Sequence, residues 1–289
     1  MVDSRSYSKQ MPVQANHDQP SQPESSSSVF NEYARYYDLL YQDKDYPAEA
    51  DYVDRLIRRF HPKAQSILEL GSGTGIHACL LAQKGFAVHG VERSTEMIAT
   101  ARQNAIHHPS SQFIDSANPL FIQGDIRHIR LNQRFDAVSA LFHVMSYQIT
   151  NDDVLAAFQT ARHHLNSGGI FIFDVWYGPA VLTDRPAVRI KRMANDEIEV
   201  TRLAEPVMRF NENRVDVNYH VFVRDLRSGQ VNELKETHTM RYFFKPEIEL
   251  FSNQSQFQLI HAEEWLTGKP VDETTWGACF CVQTIESNF

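Results

Sequence analysis

The residues that most clearly indicate chemistry lie in a glycine-rich turn that directly follows an apolar run. Gly71, Gly73 and Gly75 alternate with small polar residues after the run at 66–70, which contains Glu69. Glycine allows main-chain conformations that other residues rarely adopt, and it lets a ligand approach the backbone without a Cβ in the way. Ligands of open α/β sheets bind at the carboxyl ends of strands, so the turn predicts a nucleotide-like cofactor site.

Two classes of cofactor use such a turn, and the spacing of the glycines separates them. A dinucleotide-binding turn needs G-x-G-x-x-G, but the sixth position counted from Gly71 is Ile76. The acidic-x-Gly-x-Gly-x-Gly pattern from Glu69 to Gly75 instead resembles motif I of the class I methyltransferases. That resemblance implies S-adenosylmethionine as the cofactor.

Two further acidic residues follow the next predicted strands. Glu92 ends the run at 88–91, where a carboxylate is placed to accept hydrogen bonds from two ribose hydroxyls. In the resembled family, the aspartate matching Asp125 takes the adenine amino group and the N–H of the residue matching Ile126 meets a ring nitrogen. The alternatives are a helix-start acid for Glu92 and a turn residue for Asp125.

The resemblance also extends the expected cofactor site beyond these strand ends. For Met97, which resembles the residue that packs near the adenine, ordinary core packing is an equal alternative. The further residues assigned to the cofactor are Tyr46, Ser72, Arg93, Met97 and Leu141.

The acceptor of the methyl group is expected beside the loop after the fourth strand. His143 could serve as a general base because imidazole titrates near neutral pH, and Tyr147 could hydrogen-bond the acceptor. A structural histidine and a loop-capping tyrosine are the alternatives. Enzymes that methylate nucleic-acid bases usually carry an Asn/Asp-Pro-Pro-Tyr/Phe motif here, and this sequence lacks it. The predicted wall of the acceptor pocket also includes Asp174, Trp176 and Tyr177 at the end of the fifth strand.

The tyrosine-rich segment before the first strand narrows the acceptor class. Its stretch at 36–41, followed by Lys44-Asp45-Tyr46, resembles the start of bacterial sugar N-methyltransferases that act on nucleotide-linked aminosugars. The resemblance implies a catalytic role for Tyr37, which completes the set with His143 and Tyr147. Our alignment puts Tyr147 where that family has a histidine. The resemblance of the upstream segment favours an amino group of a sugar or natural product as the acceptor, whereas the departure at Tyr147 leaves a hydroxyl acceptor as an alternative.

The order of predicted elements indicates how these residues are positioned. Apolar residues recur at helical spacing over 48–60, and strands then alternate with helices up to 175. This alternation predicts a doubly wound, mostly parallel sheet. The resemblance to the class I methyltransferases implies that the sheet is seven-stranded and Rossmann-like. Long β-type runs over 185–245 predict an antiparallel insertion after strand five, on the substrate side. The expected division is a disordered tail at 1–28, a cofactor-binding domain at 29–184 and 246–289, and the insertion.

Composition excludes several other classes of function. The formal net charge is −8, and no cluster of basic residues offsets it, so nucleic acid is not an expected partner. No segment predicts a membrane span or a signal peptide, which favours a cytoplasmic enzyme. Three cysteines at uneven spacing predict neither a metal site nor a disulfide. The sequence leaves a homodimer open, as it does an RNA or protein methyltransferase and a non-catalytic S-adenosylmethionine-binding module.

Overall fold

The computed structural model describes residues 39–40, 44–107 and 118–285. Its central feature is a seven-stranded sheet made of β1 (Ser66–Leu70), β2 (Ala87–Glu92), β3 (Leu120–Gln123), β4 (Phe135–Ala140), β5 (Leu165–Tyr177), β10 (Phe257–Glu264) and β11 (Gly277–Thr284). The strands lie in the order β3-β2-β1-β4-β5-β11-β10. β11 runs antiparallel to both of its neighbours, while β1 to β5 pair in parallel.

Some of the helices begin at polar residues whose side chains cap them. The Thr150 hydroxyl accepts a hydrogen bond from the Asp153 backbone at 3.0 Å, and the Ser94 hydroxyl accepts one from the Met97 backbone at 3.2 Å. Such caps satisfy backbone N–H groups that have no partner inside the helix. The helices are α1 (Tyr46–Phe60), α2 (Ile76–Gln83), α3 (Thr95–His107), α4 (Asn151–His164), α5 (Gly178–Thr183) and α6 (Lys245–Gln254), with short 3₁₀ turns at Val144–Tyr147 and Phe210–Glu212.

A second, antiparallel sheet is inserted between α5 and α6. It consists of β6 (Arg189–Ala194), β7 (Ile198–Arg209), β8 (Arg214–Asp225) and β9 (Val231–Phe243), each paired with the next. β9 also pairs in parallel with the last two residues of β5, Trp176 and Tyr177. This junction holds the inserted sheet beside the carboxyl ends of the central strands.

The core packs on both faces of the central sheet, and β5 shows how the sequence produces this. Phe171 and Phe173 belong to one hydrophobic cluster, and Ile170 and Ile172 belong to the cluster on the opposite face. All four are fully buried. A strand covered by helices on both faces reads as an unbroken apolar run, which is the pattern seen here.

The predicted mostly parallel sheet with an antiparallel addition is confirmed, and one boundary differs. Gly168 and Gly169 are typical turn residues, but they lie inside β5, which begins at Leu165 and whose pairing with β4 shifts between Phe135 and Ala137. The strand therefore absorbs the glycines as an irregularity, with Gly168 at a positive φ of 72°.

The remaining predictions concern the tail, Tyr37, membrane spans, the cysteines and metal sites. The expected tail at 1–28 and Tyr37 lie outside the described residues. Within the described ranges, no helix is both long and apolar enough to cross a membrane. Cys79, Cys279 and Cys281 are free and buried. The part of the chain that the structure describes holds no cluster of three or more potential metal ligands.

Candidate active site

A cavity of about 940 Å³ opens at the carboxyl ends of the central strands. It extends from the glycine turn after β1 to the inserted sheet, so cofactor-side and acceptor-side candidates share one space. Glu69 and Gly75 do not line it and support it from below. The predicted cofactor residues that do line it are Tyr46, Gly71, Ser72, Gly73, Glu92, Arg93, Met97, Asp125, Ile126 and Leu141.

The glycine turn is held against the neighbouring strand and leaves room above it. The backbone N–H groups of Gly71 and Ser72 both donate to the carbonyl of Val91, at 2.8 and 3.0 Å. A Cβ on Gly75 would come within 2.6 Å of the Phe121 ring, whereas a Cβ on Gly73 would meet nothing within 4 Å. Gly75 is therefore required for packing, and Gly73 leaves open space for a ligand.

Glu92 connects the turn to the end of β2. One carboxylate oxygen accepts a hydrogen bond from the Gly73 N–H at 3.1 Å, and the other accepts from Arg93 and Ser94 N–H groups at 2.8 and 2.9 Å. The carboxylate is thus oriented by backbone donors before any ligand arrives. The oxygen that accepts from Gly73 has a further lone pair with which it could accept from a ribose hydroxyl.

Below the turn lies a group of buried charged residues that the sequence interpretation did not anticipate. His77 Nε2 lies 2.7 Å from the carboxylate of Glu49, which Lys44 also contacts. Burial lowers the pKa values of Lys44 and His77, and it works against ionisation of Glu49. Hydrogen bonds from His77 and Lys44 outweigh this for Glu49, so its pKa falls below the usual value. His77 and Glu49 are 28 positions apart in the sequence, so no periodic pattern predicts their contact.

Glu69 is the most strongly perturbed carboxyl group of the site. It is only 2% exposed, and one of its oxygens has no hydrogen-bond partner. Burial raises its pKa to about 8, with Glu92 adding to the shift and Lys44 opposing it. An incoming positive charge would favour its ionised form. Glu69 is thus suited to a cationic part of a cofactor.

Asp125 is oriented by Arg127 at the far end of the cavity. The guanidinium donates to both of its carboxylate oxygens, at 2.9 and 2.6 Å, and also reaches Asp153 at 2.7 Å. Hydrogen bonding from Arg127 lowers the pKa of Asp125 to about 2. Asp125 therefore stays ionised at neutral pH, and its carboxylate could accept a hydrogen bond from an adenine amino group.

His143 lines the cavity on the acceptor side and is supported by Asp174. Its Nδ1 lies 2.7 Å from the Asp174 carboxylate, and its backbone N–H donates to the same oxygen at 3.1 Å. The backbone of His143 is left-handed, with φ 62°, so the loop holds this residue in an unusual main-chain conformation. Asp174 itself is almost completely buried and does not line the cavity. Asp174, which the sequence predicts as part of the acceptor-pocket wall, therefore contacts His143 from below the cavity surface.

The opposite side of the cavity is formed largely by residues that the sequence interpretation did not select. We call this surface the acceptor wall, and it consists of Tyr147, Trp176, Tyr219, His238 and Met240. The hydroxyl of Tyr147 lies 3.0 Å from Nδ1 of His238 on β9. The prediction that Tyr177 belongs to the wall is wrong. Side chains alternate between the two faces of β5, so Tyr177 points into the core while Trp176 lines the cavity.

The described residues fit the predicted cofactor on several points. The space above Gly73, the oriented carboxylates of Glu92 and Asp125, and the unpartnered oxygen of Glu69 lie along one face of the cavity or directly below it. Glu92 could accept from the ribose, Asp125 from the adenine, and Glu69 could face the cationic amino group of S-adenosylmethionine. The open space above Gly73 would let the cofactor approach the main chain of the turn. No described side chain fills this space.

Comparison with known proteins agrees with this geometry. Residues 67–169 match a family described as "Methyltransferase domain". The protein is a methyltransferase. The predicted enzyme class and its cofactor, S-adenosylmethionine, are confirmed. The roles of individual residues in this methyltransferase stay predictions.

Related proteins and solved structures extend the likeness over most of the chain. A dTDP-3-amino-3,4,6-trideoxy-α-D-glucopyranose N,N-dimethyltransferase of Streptomyces venezuelae is 29% identical over 83% of this chain and 94% of its own length. The structure of Streptomyces venezuelae DesVI is similar with a TM-score of 0.70 and 26% identity, covering 88% and 98% of the two chains. An S-adenosylmethionine-dependent methyltransferase of Clostridium acetobutylicum is similar in fold, with a TM-score of 0.73, 22% identity and coverage of 89% and 99%.

Proposed function

We propose that this methyltransferase transfers a methyl group from S-adenosylmethionine to an amino group of a sugar-like small molecule. The observation that carries the proposal is the single cavity in which the glycine turn meets the acceptor wall. The Streptomyces venezuelae relative, which acts on an amino group of a nucleotide-linked sugar, supports the nature of the acceptor. The acidic net charge of −8 favours this over RNA or another extended polyanion as the acceptor.

The chain is proposed to divide as its sequence suggests. Residues 29–184 and 246–289 would form the cofactor-binding domain, and 185–245 would cover the acceptor side. Tyr219, His238 and Met240 support this division, because all three belong to the inserted sheet and line the cavity. A cytoplasmic location and a homodimer stay predictions.

The residues of the site have separate tasks in this proposal. Bound S-adenosylmethionine supplies an electrophilic methyl group on a sulfonium. Glu92 and Asp125 hold the nucleoside by its ribose and adenine, and Glu69 faces the cationic end. Trp176 and Tyr219 shape the wall against which the acceptor lies. Holding two reactants in attack geometry is the main requirement of this chemistry, because proximity alone removes much of the barrier.

A hydroxyl acceptor is the second candidate, and the pair of His143 and Asp174 favours it. A hydroxyl must lose its proton as it attacks, and a histidine oriented by a carboxylate is a recurring general base for that step. An amine can attack while neutral and loses its proton afterwards. The demand placed on His143 therefore differs between the two acceptors.

Product analysis tests the proposal directly. Purified protein is incubated with S-adenosylmethionine and a panel of nucleotide-linked aminosugars, including the acceptor of the Streptomyces relative. Each aminosugar has a control in which a hydroxyl replaces the amine. We expect a mass gain of one or more methyl groups on the aminosugars alone. Methylation of the hydroxyl sugars alone would favour the second candidate, and cofactor binding without any methyl release would indicate a non-catalytic module.

A further inference from the structure

The inner face of the inserted sheet, which is turned toward the cavity and the core, changes character along its strands. At one end, Val221 and Val223 join a hydrophobic cluster with Leu39 and Leu40. At the other end, Val215 and Val217 join a second cluster with Val181 and Met240. A sheet face used only for packing would continue as apolar residues between these ends.

Between the two clusters the inner face is polar and aromatic. Tyr219 on β8 lies opposite Glu236 on β9, and Val217 lies opposite His238. The rings of Tyr219 and His238 meet edge to face with centroids 5.0 Å apart. Polar residues on a half-buried face carry a desolvation cost unless they have partners, so the contacts that these residues make determine what the interruption can do.

The polar residues of this interruption form a continuous chain of contacts. The Tyr147 hydroxyl lies 3.0 Å from Nδ1 of His238, and Nε2 of His238 lies 3.2 Å from the Glu236 carboxylate. His238 and Glu236 are 21% and 14% exposed, whereas Tyr147 is 46% exposed. The chain thus runs from a reachable hydroxyl in the cavity to a half-buried carboxylate in the sheet.

We propose that Tyr147, His238 and Glu236 form a proton relay that serves the acceptor during methyl transfer. This inference rests on the proposed function, since it assumes an acceptor in the cavity beside Tyr147. It adds two residues of the inserted sheet to the catalytic machinery. Tyr147 touches the acceptor as a catalytic residue, while His238 and Glu236 act through it as positioning and proton-holding residues.

The proton balance follows from the order of the contacts. After attack, the methylated nitrogen carries one proton too many and donates it to the Tyr147 oxygen. The tyrosine O–H proton passes to Nδ1 of His238, which restores the phenol and leaves an imidazolium. The Glu236 carboxylate, which accepts from Nε2–H, stabilises that charge until the proton leaves to solvent. This requires neutral His238 to carry its proton on Nε2.

A matched control exists on the opposite face of the same sheet. His220 on β8 lies with Nε2 2.6 Å from the Glu233 carboxylate, so it is also a histidine paired with a glutamate of β9. It does not line the cavity. A relay predicts an effect at His238 and none at His220, whereas a general need for His–Glu pairs in this sheet predicts similar effects at both.

The experiment compares His238→Gln, Tyr147→Phe, Glu236→Gln and His220→Gln with the wild type, using the aminosugar of the panel that the wild type methylates best. We expect kcat to fall by roughly 10- to 100-fold for the first two variants, at or below the lower end of the range for a positioned base. Affinity for S-adenosylmethionine and the melting temperature should stay close to wild type. The double variant of Tyr147 and His238 should be no slower than its slower parent, because both act in one path.

Two further readouts separate a relay from a structural role. Added imidazole should restore part of the turnover of His238→Gly, because it can replace the missing ring. In ¹⁵N-histidine NMR of the cofactor-free protein, His238 should carry its proton on Nε2, and its Nδ1 signal should shift in Tyr147→Phe.

Each outcome bears on a defined claim. Wild-type kcat in His238→Gln, an equal loss in His220→Gln, or a proton on Nδ1 would overturn the relay alone. A wild-type protein that methylates no amine of the panel would overturn the proposed function and the relay with it.

Discussion

The carboxylate of Glu92 accepts a hydrogen bond from the backbone N–H of Gly73 at 3.1 Å, which ties the end of β2 to the turn after β1. The same side chain is the predicted ribose acceptor. Glu92 therefore holds the turn in place as well as facing the cofactor. Its replacement should affect both the local backbone and binding.

Glu92→Ala should weaken S-adenosylmethionine binding by about 1–3 kcal/mol, the range for losing charge-assisted hydrogen bonds. A smaller loss of thermal stability should accompany it, since the Gly73 N–H loses its partner. Titration calorimetry and thermal melting measure the two effects. Glu249→Ala, an exposed change on α6, serves as the control. Unchanged affinity with a lower melting temperature would show that Glu92 is only structural.

Gly73 and Gly85 provide a matched pair of glycines. Both have positive φ, 54° and 93°, and a Cβ would meet nothing within 4 Å at either position. An alanine should therefore cost similar backbone strain at both, about 1–2 kcal/mol of stability. Only Gly73→Ala should also lower affinity for S-adenosylmethionine, by about tenfold or more, because its methyl group would enter the cavity. Equal affinities in the two variants would contradict our placement of the cofactor.

The raised pKa of Glu69 predicts a pH dependence of stability. Because its pKa rises from 4.5 to about 8 on folding, its contribution to stability is fully present below about pH 4.5. That contribution is lost as the pH rises toward 8. Glu69→Gln, which stays neutral, should flatten this part of the stability curve measured by denaturant unfolding. A variant curve parallel to the wild type would contradict the assigned pKa.

The same carboxyl group should release a proton when the cationic cofactor binds. Binding at neutral pH places a positive charge near Glu69 and favours its ionised form. Calorimetric titrations in two buffers of different ionisation enthalpy measure this release. The wild type should show it, and Glu69→Gln should show less. Identical proton release by both proteins would place the cationic end elsewhere.

His143 distinguishes the two acceptor types. For a hydroxyl acceptor, His143→Ala should lower kcat by about 10²–10⁴-fold, as expected for loss of a general base. For an amine acceptor the loss should be much smaller. Asp174→Asn should follow the same direction as His143→Ala, because the Asp174 carboxylate contacts the ring and accepts a hydrogen bond from the His143 backbone N–H. Steady-state kinetics on the methylated member of each sugar pair gives the comparison.

Local patterns predicted the fold, and together with the resemblance to the class I methyltransferases they predicted which residues belong to the cofactor side. Alternating apolar runs and helical spacing predicted the central sheet. Glu69, Glu92 and Asp125 lie at or just beyond the ends of β1, β2 and β3, one for each strand. Parallel strands bring their carboxyl ends to one edge. Glu69, Glu92 and Asp125 could therefore be assigned to one site without knowledge of any side-chain contact.

The contacts on the acceptor side were decided by the tertiary structure. Tyr147 and His238 are separated by 91 positions in the sequence, and they meet because the inserted sheet docks at the end of β5. The buried contact of His77 with Glu49 and that of His143 with Asp174 also join residues of different elements. Such contacts depend on how two elements are oriented in space. Periodicity and spacing describe each element separately, so they carry no information about that orientation.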